Sequence, residues 1–224
     1  MLGKKRVVMV TLNNDFGKSL AAGFKEQANF FGIDVVAEYD YSIKDREFGP
    51  IISKIKADKP DAIYASGYFF TAGPMVSQIR AAGLGQPIVG QEGYDSQKFI
   101  EIAGKASEGV MITTSLDRDS SSPETQDFIS GFAKKAGYPA DMVAASGHTA
   151  LLVVADALKR AGSNDASSLR DAISSTSLSA STGKISFNAL GEVQKDVQVQ
   201  IVKGGNWHHH SVISDAVLLA PPSK

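Results

Sequence analysis

Two aromatic residues and one carboxylate are the residues best suited to ligand chemistry, because each comes just after a predicted β-strand. Phe16, Tyr68 and Glu92 follow the first, third and fourth of these strands. An aromatic face buries apolar groups or stacks on a ring, whereas a partly buried carboxylate seeks a cation. The set is therefore typical of a site for a small molecule that carries both an apolar part and a positive charge.

The same three residues also suit ordinary structural roles. In these roles Glu92 is a solvated loop residue, Phe16 packs against the core and Tyr68 is an aromatic residue at the rim of the sheet. The spacing of the three residues alone slightly favours these structural roles. Glu92 stands out because Gly93 and the apolar run at 87–89 put it near the floor of any cleft. If Glu92 is desolvated there, the loss of its cationic partner would cost a few kcal/mol.

Motifs for catalysis, nucleotides and metals are absent from the sequence. It has no cysteine, no Gly-x-Gly-x-x-Gly after the first strand, no Walker A segment and no Gly-x-Ser-x-Gly elbow. His208, His209 and His210 are adjacent, and adjacent strand residues point to opposite faces, so we expect a surface cluster rather than a metal site. His148 lies in an apolar helical stretch, which favours a hydrogen-bonded packing residue. We therefore predict no enzyme, no cofactor and no metal.

Charge and composition limit the partners. The 224 residues include 23 basic and 24 acidic side chains, spread along the chain with a net charge of −1. No basic patch indicates a nucleic-acid partner. The apolar run after the basic start ends at Asn13 without a small-residue cleavage site, so we predict no signal peptide in this chain. A hydrophobic content of 43% is enough to bury a full core.

Short β-branched runs alternate with amphipathic helices over the first half of the chain. This alternation predicts an α/β fold with a flavodoxin-like, doubly wound parallel sheet, in which ligands bind beyond the carboxyl ends of the strands. We expect Asp15 and Ser96 to cap the helices that follow them. The predicted strands are Val7–Leu12, Val35–Tyr39, Ala62–Ala65, Pro87–Val89 and Val110–Thr113.

The pattern changes near residue 117, where a polar stretch predicts a crossing segment. The stretch Ala145–Leu158 is apolar nearly all round, which predicts a helix covered by neighbours on most sides. Later segments alternate polar and apolar residues, as short strands do. The predicted elements are helices at Glu124–Lys135, Met142–Ala161 and Ala166–Ser174, a turn at Ser175–Thr182, and strands at Lys184–Phe187 and Val197–Val202.

Five motifs in combination carry a family resemblance that covers almost the whole chain. They are Asn13-Asn14-Asp15-Phe16-Gly17, Pro60-Asp61-Ala62-Ile63-Tyr64-Ala65-Ser66-Gly67-Tyr68, Gly90-Gln91-Glu92-Gly93-Tyr94, Ile102-Ala103-Gly104-Lys105-Ala106-Ser107-Glu108-Gly109 and Thr182-Gly183-Lys184-Ile185-Ser186-Phe187-Asn188. Together they resemble the second lobe of type I periplasmic binding proteins. The most similar group is the branched-chain amino acid (leucine/isoleucine/valine) binding family of ABC importers.

The resemblance implies a function and a role for each candidate residue. It implies a periplasmic protein that binds an amino acid or related solute without catalysis and delivers it to the membrane permease of an ABC importer. Glu92 matches the carboxylate that pairs with the ligand α-ammonium, and Tyr68 matches a ligand-contacting tyrosine. Phe16 lies where many members have a tyrosine, and its missing hydroxyl is expected to alter ligand choice.

Family members begin with another lobe, which we expect this chain to lack. The predicted organisation is a ligand-binding lobe at 1–117, a crossing segment and helices at 118–182 that pack on the other lobe in the family, and returning strands at 183–224. Without that lobe, helices 124–161 would expose apolar surface unless they pack on the remaining sheet or form a homodimer. The alternative is a self-contained flavodoxin-like sensory or interaction module with no transport role.

Overall fold

A computed structural model of the protein describes residues 2–219, so the last five residues of the predicted segment 183–224, with Pro221 and Pro222, lie outside the described part. The chain forms two compact units. The first contains the residues up to Thr113 together with Ile201–Trp207, and the second contains Thr114–Gln200 together with the residues from His208 onwards.

The elements follow one another in the alternating order that the sequence predicts. In chain order they are β1 (Arg6–Leu12), α1 (Asp15–Phe30), β2 (Asp34–Tyr41), α2 (Gly49–Asp58), β3 (Ala62–Ser66), α3 (Phe69–Ala81), β4 (Ile88–Gly90), a 3₁₀ turn (Glu92–Tyr94), α4 (Gln97–Ala103), a second 3₁₀ turn (Gly104–Ser107), β5 (Met111–Thr114), α5 (Pro123–Ala136), α6 (Met142–Ala161), α7 (Ala166–Ser174), β6 (Ser177–Ala180), β7 (Gly183–Phe187), β8 (Val193–Gln194), β9 (Val197–Lys203), β10 (Asn206–Ile213) and α8 (Ala216–Leu219).

The main sheet has the strand order β2-β1-β3-β4-β5-β9-β10. Its first five strands pair in parallel and follow the flavodoxin-like order, which confirms the predicted fold class. Both faces of β1 and β3 are covered, because the central strands of a parallel sheet lie between two layers of helices. Strand β1 shows this clearly: Val8, Val10 and Leu12 belong to the larger core cluster, whereas Val7 and Met9 belong to a separate one.

Helix starts show where local patterns were sufficient and where they were not. Ser96 caps α4 as predicted, since its hydroxyl accepts a hydrogen bond from Lys98 N at 3.2 Å. The prediction for α1 is wrong: Asn14, not Asp15, is the cap and accepts from Gly17 N at 2.8 Å. Asn14 has the extended backbone that a cap requires (φ −150°), whereas Asp15 is already the first helical residue.

The second unit contains α5, α6, α7 and a three-stranded antiparallel sheet of order β6-β7-β8. Val153 of α6 packs with Ala180 and Ile185 of this sheet. The predicted turn at Ser175–Thr182 is wrong over its central residues, which form β6 and pair with β7 from Ser177 opposite Ser186 to Ala180 opposite Gly183. Pairing with a neighbouring strand outweighs the low strand preference of a serine-rich segment.

Helix α6 buries only one stripe. Its buried residues are Ala145, Thr149, Val153 and Ala157, spaced four apart. The prediction that neighbours cover Ala145–Leu158 on most sides is wrong, because Leu151 and Val154 are 72% and 40% exposed. Helices 124–161 thus carry exposed apolar side chains in this chain. By length and composition alone α6 is also apolar enough to cross a membrane, a criterion that core helices meet as well.

Candidate ligand-binding site

Phe16, Tyr68 and Glu92 all lie in the first unit, at the edge where β1, β3 and β4 end. Strand register fixes this arrangement, since Thr11 of β1 lies opposite Ser66 of β3 and Tyr64 of β3 lies opposite Val89 of β4 in parallel pairs. Phe16 lies in the first turn of α1, Tyr68 directly precedes α3, and Glu92 begins a 3₁₀ turn. The loops that carry the three residues therefore leave the same edge of the sheet.

Two of the predicted site residues are in direct contact. The rings of Phe16 and Tyr68 stack with centroids 5.0 Å apart and planes inclined by 5°. Tyr68 also stacks on Phe70, at 5.6 Å and 16°. Phe70 was missed by sequence reasoning, although the run Tyr68-Phe69-Phe70 directly after a predicted strand was an available signal.

The side chain of Gln91 joins the loop of Glu92 to the loop of Tyr68. Gln91 is 2% exposed, and its Nε2 donates to Gly67 O at 2.8 Å while its Oε1 accepts from Gly93 N at 2.7 Å. We call this pair of bonds the Gln91 bridge. It holds Glu92, which lies between Gln91 and Gly93, beside the loop that leads into Tyr68. Sequence reasoning placed Gln91 within a motif but gave it no role.

The two bridged loops approach too closely for side chains. A Cβ added to Gly93 would lie 2.1 Å from Gly67 O. Gly67 itself has a φ of +153°, a conformation that other residues rarely adopt, and its Cβ would lie 1.9 Å from the hydroxyl of Tyr41. The contact between the loops thus requires glycine at position 93, and the backbone conformation and the Tyr41 hydroxyl require it at position 67.

A buried hydroxyl network sets the frame on the other side of the site. Ser66 Oγ donates to Gly17 O at 3.2 Å, which ties the first turn of α1 to the end of β3. Tyr41 donates to Ser66 O at 3.0 Å and lies 3.1 Å from Thr71 Oγ1. Burial raises the pKa of Tyr41 to about 12, with the Thr71 bond opposing part of the shift, so the phenol stays neutral at physiological pH.

The site carries negative charge next to apolar rings. Glu92 is half-buried. Burial, and secondly the charge of Glu92, raise the pKa of Tyr64 to about 12, which means that the field of this carboxylate reaches β3. A carboxylate beside an aromatic wall is suited to a ligand that has a cationic group next to an apolar group.

Comparison with known proteins decides the family. A family model described as "Periplasmic binding protein" matches residues 1–206. This chain belongs to that family. The predicted resemblance to the branched-chain amino acid binding group is confirmed by the relatives of this periplasmic binding protein.

Three relatives illustrate the similarity. The "Leucine-, isoleucine-, valine-, threonine-, and alanine-binding protein" of Pseudomonas aeruginosa is 26% identical over 85% of this chain and 51% of its own length. The leucine-binding protein LivK of Thermotoga maritima is 31% identical, with a TM-score of 0.87 over 95% of this chain and 61% of that one. A solute-binding protein of R. palustris in complex with benzoate is 25% identical, with a TM-score of 0.85 over 94% and 59%. The chain thus spans about half the length of the curated relatives.

The four histidines of this periplasmic binding protein belong to the second unit, whereas the three candidate residues belong to the first. His148 Nδ1 lies 3.1 Å from Ser181 Oγ, and its ring stacks on Phe128 at 4.8 Å, as expected of a packing residue. Ser181 is 1% exposed, so its hydroxyl is not available to a substrate. Among residues 2–219, no group of three or more histidine, aspartate or glutamate side chains is arranged to hold a metal.

Two histidines of β10 pair with aspartates of the crossing segment, in what we call the His–Asp cluster. His208 Nδ1 lies 3.1 Å from Asp119 Oδ2, and His209 Nδ1 lies 2.9 Å from Asp117 Oδ2. Partial burial acts to raise the pKa of Asp119. Hydrogen bonds from the His209 backbone and the His208 side chain outweigh it, so the pKa of Asp119 lies below its ordinary value of 3.8.

Replacement of Gly93 by alanine is expected to destabilise the first unit, because the new Cβ would lie 2.1 Å from a backbone oxygen. Overpacking of this kind costs roughly 1–3 kcal/mol. Trp207, the single tryptophan, is buried in this unit, so its fluorescence during urea unfolding reports the change. As a control, Gly23→Ala in α1 meets no atom within 4 Å and should stabilise by about 0.4–1 kcal/mol. Equal midpoints for Gly93→Ala and wild type would contradict the crowding argument.

The His–Asp cluster predicts a pH-dependent contribution to stability. A folded-state pKa below the unfolded value means that Asp119 stabilises the fold above pH 3.8, and that this contribution is lost as the pH falls through the folded-state pKa. Asp119→Asn should therefore lower the free energy of unfolding at pH 7, and the difference from wild type should shrink below about pH 4. Urea titrations followed by circular dichroism at several pH values test this. A difference that stays constant down to pH 2 would count against it.

Proposed function

We propose that this chain is the substrate-binding component of an ABC importer and that it binds a branched-chain or related amino acid without catalysis. The Gln91 bridge is the observation that carries the proposal, because it sets the carboxylate of Glu92 beside the loop of an aromatic wall. An amino acid presents the matching chemistry, with an ammonium group close to an apolar side chain.

Each candidate residue has a defined part in this proposal. Glu92 accepts hydrogen bonds from the α-ammonium group, and such charge-assisted bonds contribute roughly 1.5–3 kcal/mol each. Tyr68 and Phe16 wall the ligand side chain with their stacked rings. The buried Ser66, Tyr41 and Gln91 do not contact the ligand; they hold the loops in register.

Relatives support the wider role. Curated proteins of Pseudomonas aeruginosa and Rhizobium johnstonii are described as binding leucine, isoleucine and valine, and the family is that of periplasmic binding proteins. We accordingly propose a periplasmic location and delivery of the ligand to a membrane permease. Because the chain spans about half the length of these relatives, the activity of the whole protein is part of the proposal.

Glu92→Gln tests the proposed site, because it removes the charge and keeps the shape. By isothermal titration calorimetry, the wild-type chain should bind L-leucine saturably, and Glu92→Gln should weaken binding roughly 10- to 100-fold, as expected for a lost charge-assisted bond. Glu101→Gln is the matched control, since Glu101 lies on the exposed side of α4 and pairs with Lys98. Its affinity should equal that of wild type.

An absence of binding to any amino acid, in a folded wild-type chain, would contradict the proposal. That result would favour the self-contained sensory or interaction module instead. Equal weakening by Glu92→Gln and Glu101→Gln would show that general charge, rather than the site, governs affinity.

We further propose that α6 pairs with a second copy of the chain. Its exposed residues Val143, Gly147, Leu151, Val154 and Leu158 form what we call the α6 stripe. Their spacing of four, four, three and four residues is that of helix pairs that pack side by side. In antiparallel self-pairing, the basic end at Lys159 would meet the acidic cap Asp141 of the other copy, so the charges at the two ends are complementary.

Light scattering coupled to size-exclusion chromatography tests this pairing. The wild-type chain should have twice the 23.7 kDa mass of the monomer. Leu151→Lys should dissociate the dimer, because the charged ammonium group of the lysine would be buried in an apolar interface. Leu190→Lys is the control, because Leu190 is similarly exposed (68%) but lies between β7 and β8. A wild-type mass of 23.7 kDa at the highest concentration reached would rule out the dimer.

A further inference from the structure

Three aromatic rings form a continuous stack at the strand-end edge of the first unit. In order they are Phe16, Tyr68 and Phe70, with centroid separations of 5.0 and 5.6 Å and interplanar angles of 5° and 16°. All three side chains are partly buried. An aliphatic ligand needs only an apolar wall, whereas parallel rings offer flat faces that are complementary to another ring.

Core packing does not account for the whole stack. Tyr68 packs against the larger core cluster of the first unit, and so does Phe69. Phe16 and Phe70 belong to none of the core clusters formed by the described residues. Contacts with other rings therefore position Phe16 and Phe70 outside the core clusters.

The two ends of the stack differ. Phe70 is also held by Phe69, whose ring meets it edge to face at 5.4 Å and 89°. Phe16 has a single ring contact among the described residues, the one with Tyr68. Phe16 is thus the end of the stack with fewer aromatic neighbours among the described residues.

We propose that the ligand is an amino acid with an aromatic side chain, whose ring stacks on Phe16 while its ammonium group pairs with Glu92. This inference rests on the proposed function and specifies its ligand class. Ring-on-ring contacts add to the affinity beyond area burial, so L-phenylalanine binds roughly two- to tenfold more tightly than L-leucine. The Glu92 carboxylate selects for the amine, so an aromatic acid without one binds more weakly still.

Calorimetric titration of the 224-residue chain with four ligands tests the inference. L-Phenylalanine should bind more tightly than L-leucine and also than L-cyclohexylalanine, which has a similar volume but no π face. 3-Phenylpropionate, which has the ring without the ammonium group, should bind most weakly. The ratio of two dissociation constants measured on one preparation does not depend on the fraction of the chain that is folded.

Two variants and a control locate the preference. Phe16→Leu should bring the phenylalanine-to-leucine ratio close to one, because it removes the ring that the ligand contacts. Phe70→Leu should reduce the ratio less, since Phe70 acts through Tyr68. Phe31→Leu should leave the ratio unchanged, because Phe31 follows the last turn of α1 and contacts Phe30 instead.

Each outcome decides between the claims. A leucine affinity equal to or above that of phenylalanine, or equal affinities for phenylalanine and cyclohexylalanine, would overturn the aromatic preference and leave the amino-acid site intact. A ratio that survives Phe16→Leu would overturn the stacking position. If the folded chain binds none of the amino acids, the proposed function itself fails.

Discussion

A single buried amide holds the candidate site together. Gln91 has almost no exposed surface. Its side-chain amide donates to the carbonyl of Gly67, 24 residues earlier in the chain, and accepts from the N–H of Gly93 in its own loop. Buried polar groups are costly when unpaired, so each loop depends on the other for its hydrogen bonds. The loops that carry Glu92 and Tyr68 are held side by side by this dependence.

The hydroxyl network around the candidate site is built from neutral groups. Ser66, Tyr41 and Thr71 connect three elements through hydroxyls that remain uncharged at physiological pH. A network of this kind keeps its geometry when the local charge changes, for example when a cation is bound or released. The loops around Glu92 therefore do not depend on the charge of this side chain for these hydrogen bonds.

The sequence predicted those features that depend on local pattern. Strand–helix alternation determined the sheet order, and the strand ends located Phe16, Tyr68 and Glu92. Local pattern failed where distant pairing decides: a serine-rich segment became β6 because β7 lies beside it. Local pattern also assigned the cap of α1 to Asp15 instead of Asn14, and it predicted cover on faces of α6 that are exposed. Gln91 could not be found in this way, since its role exists only once two loops are adjacent.

The His–Asp cluster has a mechanical consequence. The chain passes from one unit to the other after Thr113, after Gln200 and after Trp207. Just beyond the first passage, Asp117 binds both Gln200 and His209, and Asp119 binds His208, so residues next to all three passages are bonded to one another within the second unit. Hydrogen bonds thereby cross-link the three segments of backbone at the points where they join the second unit.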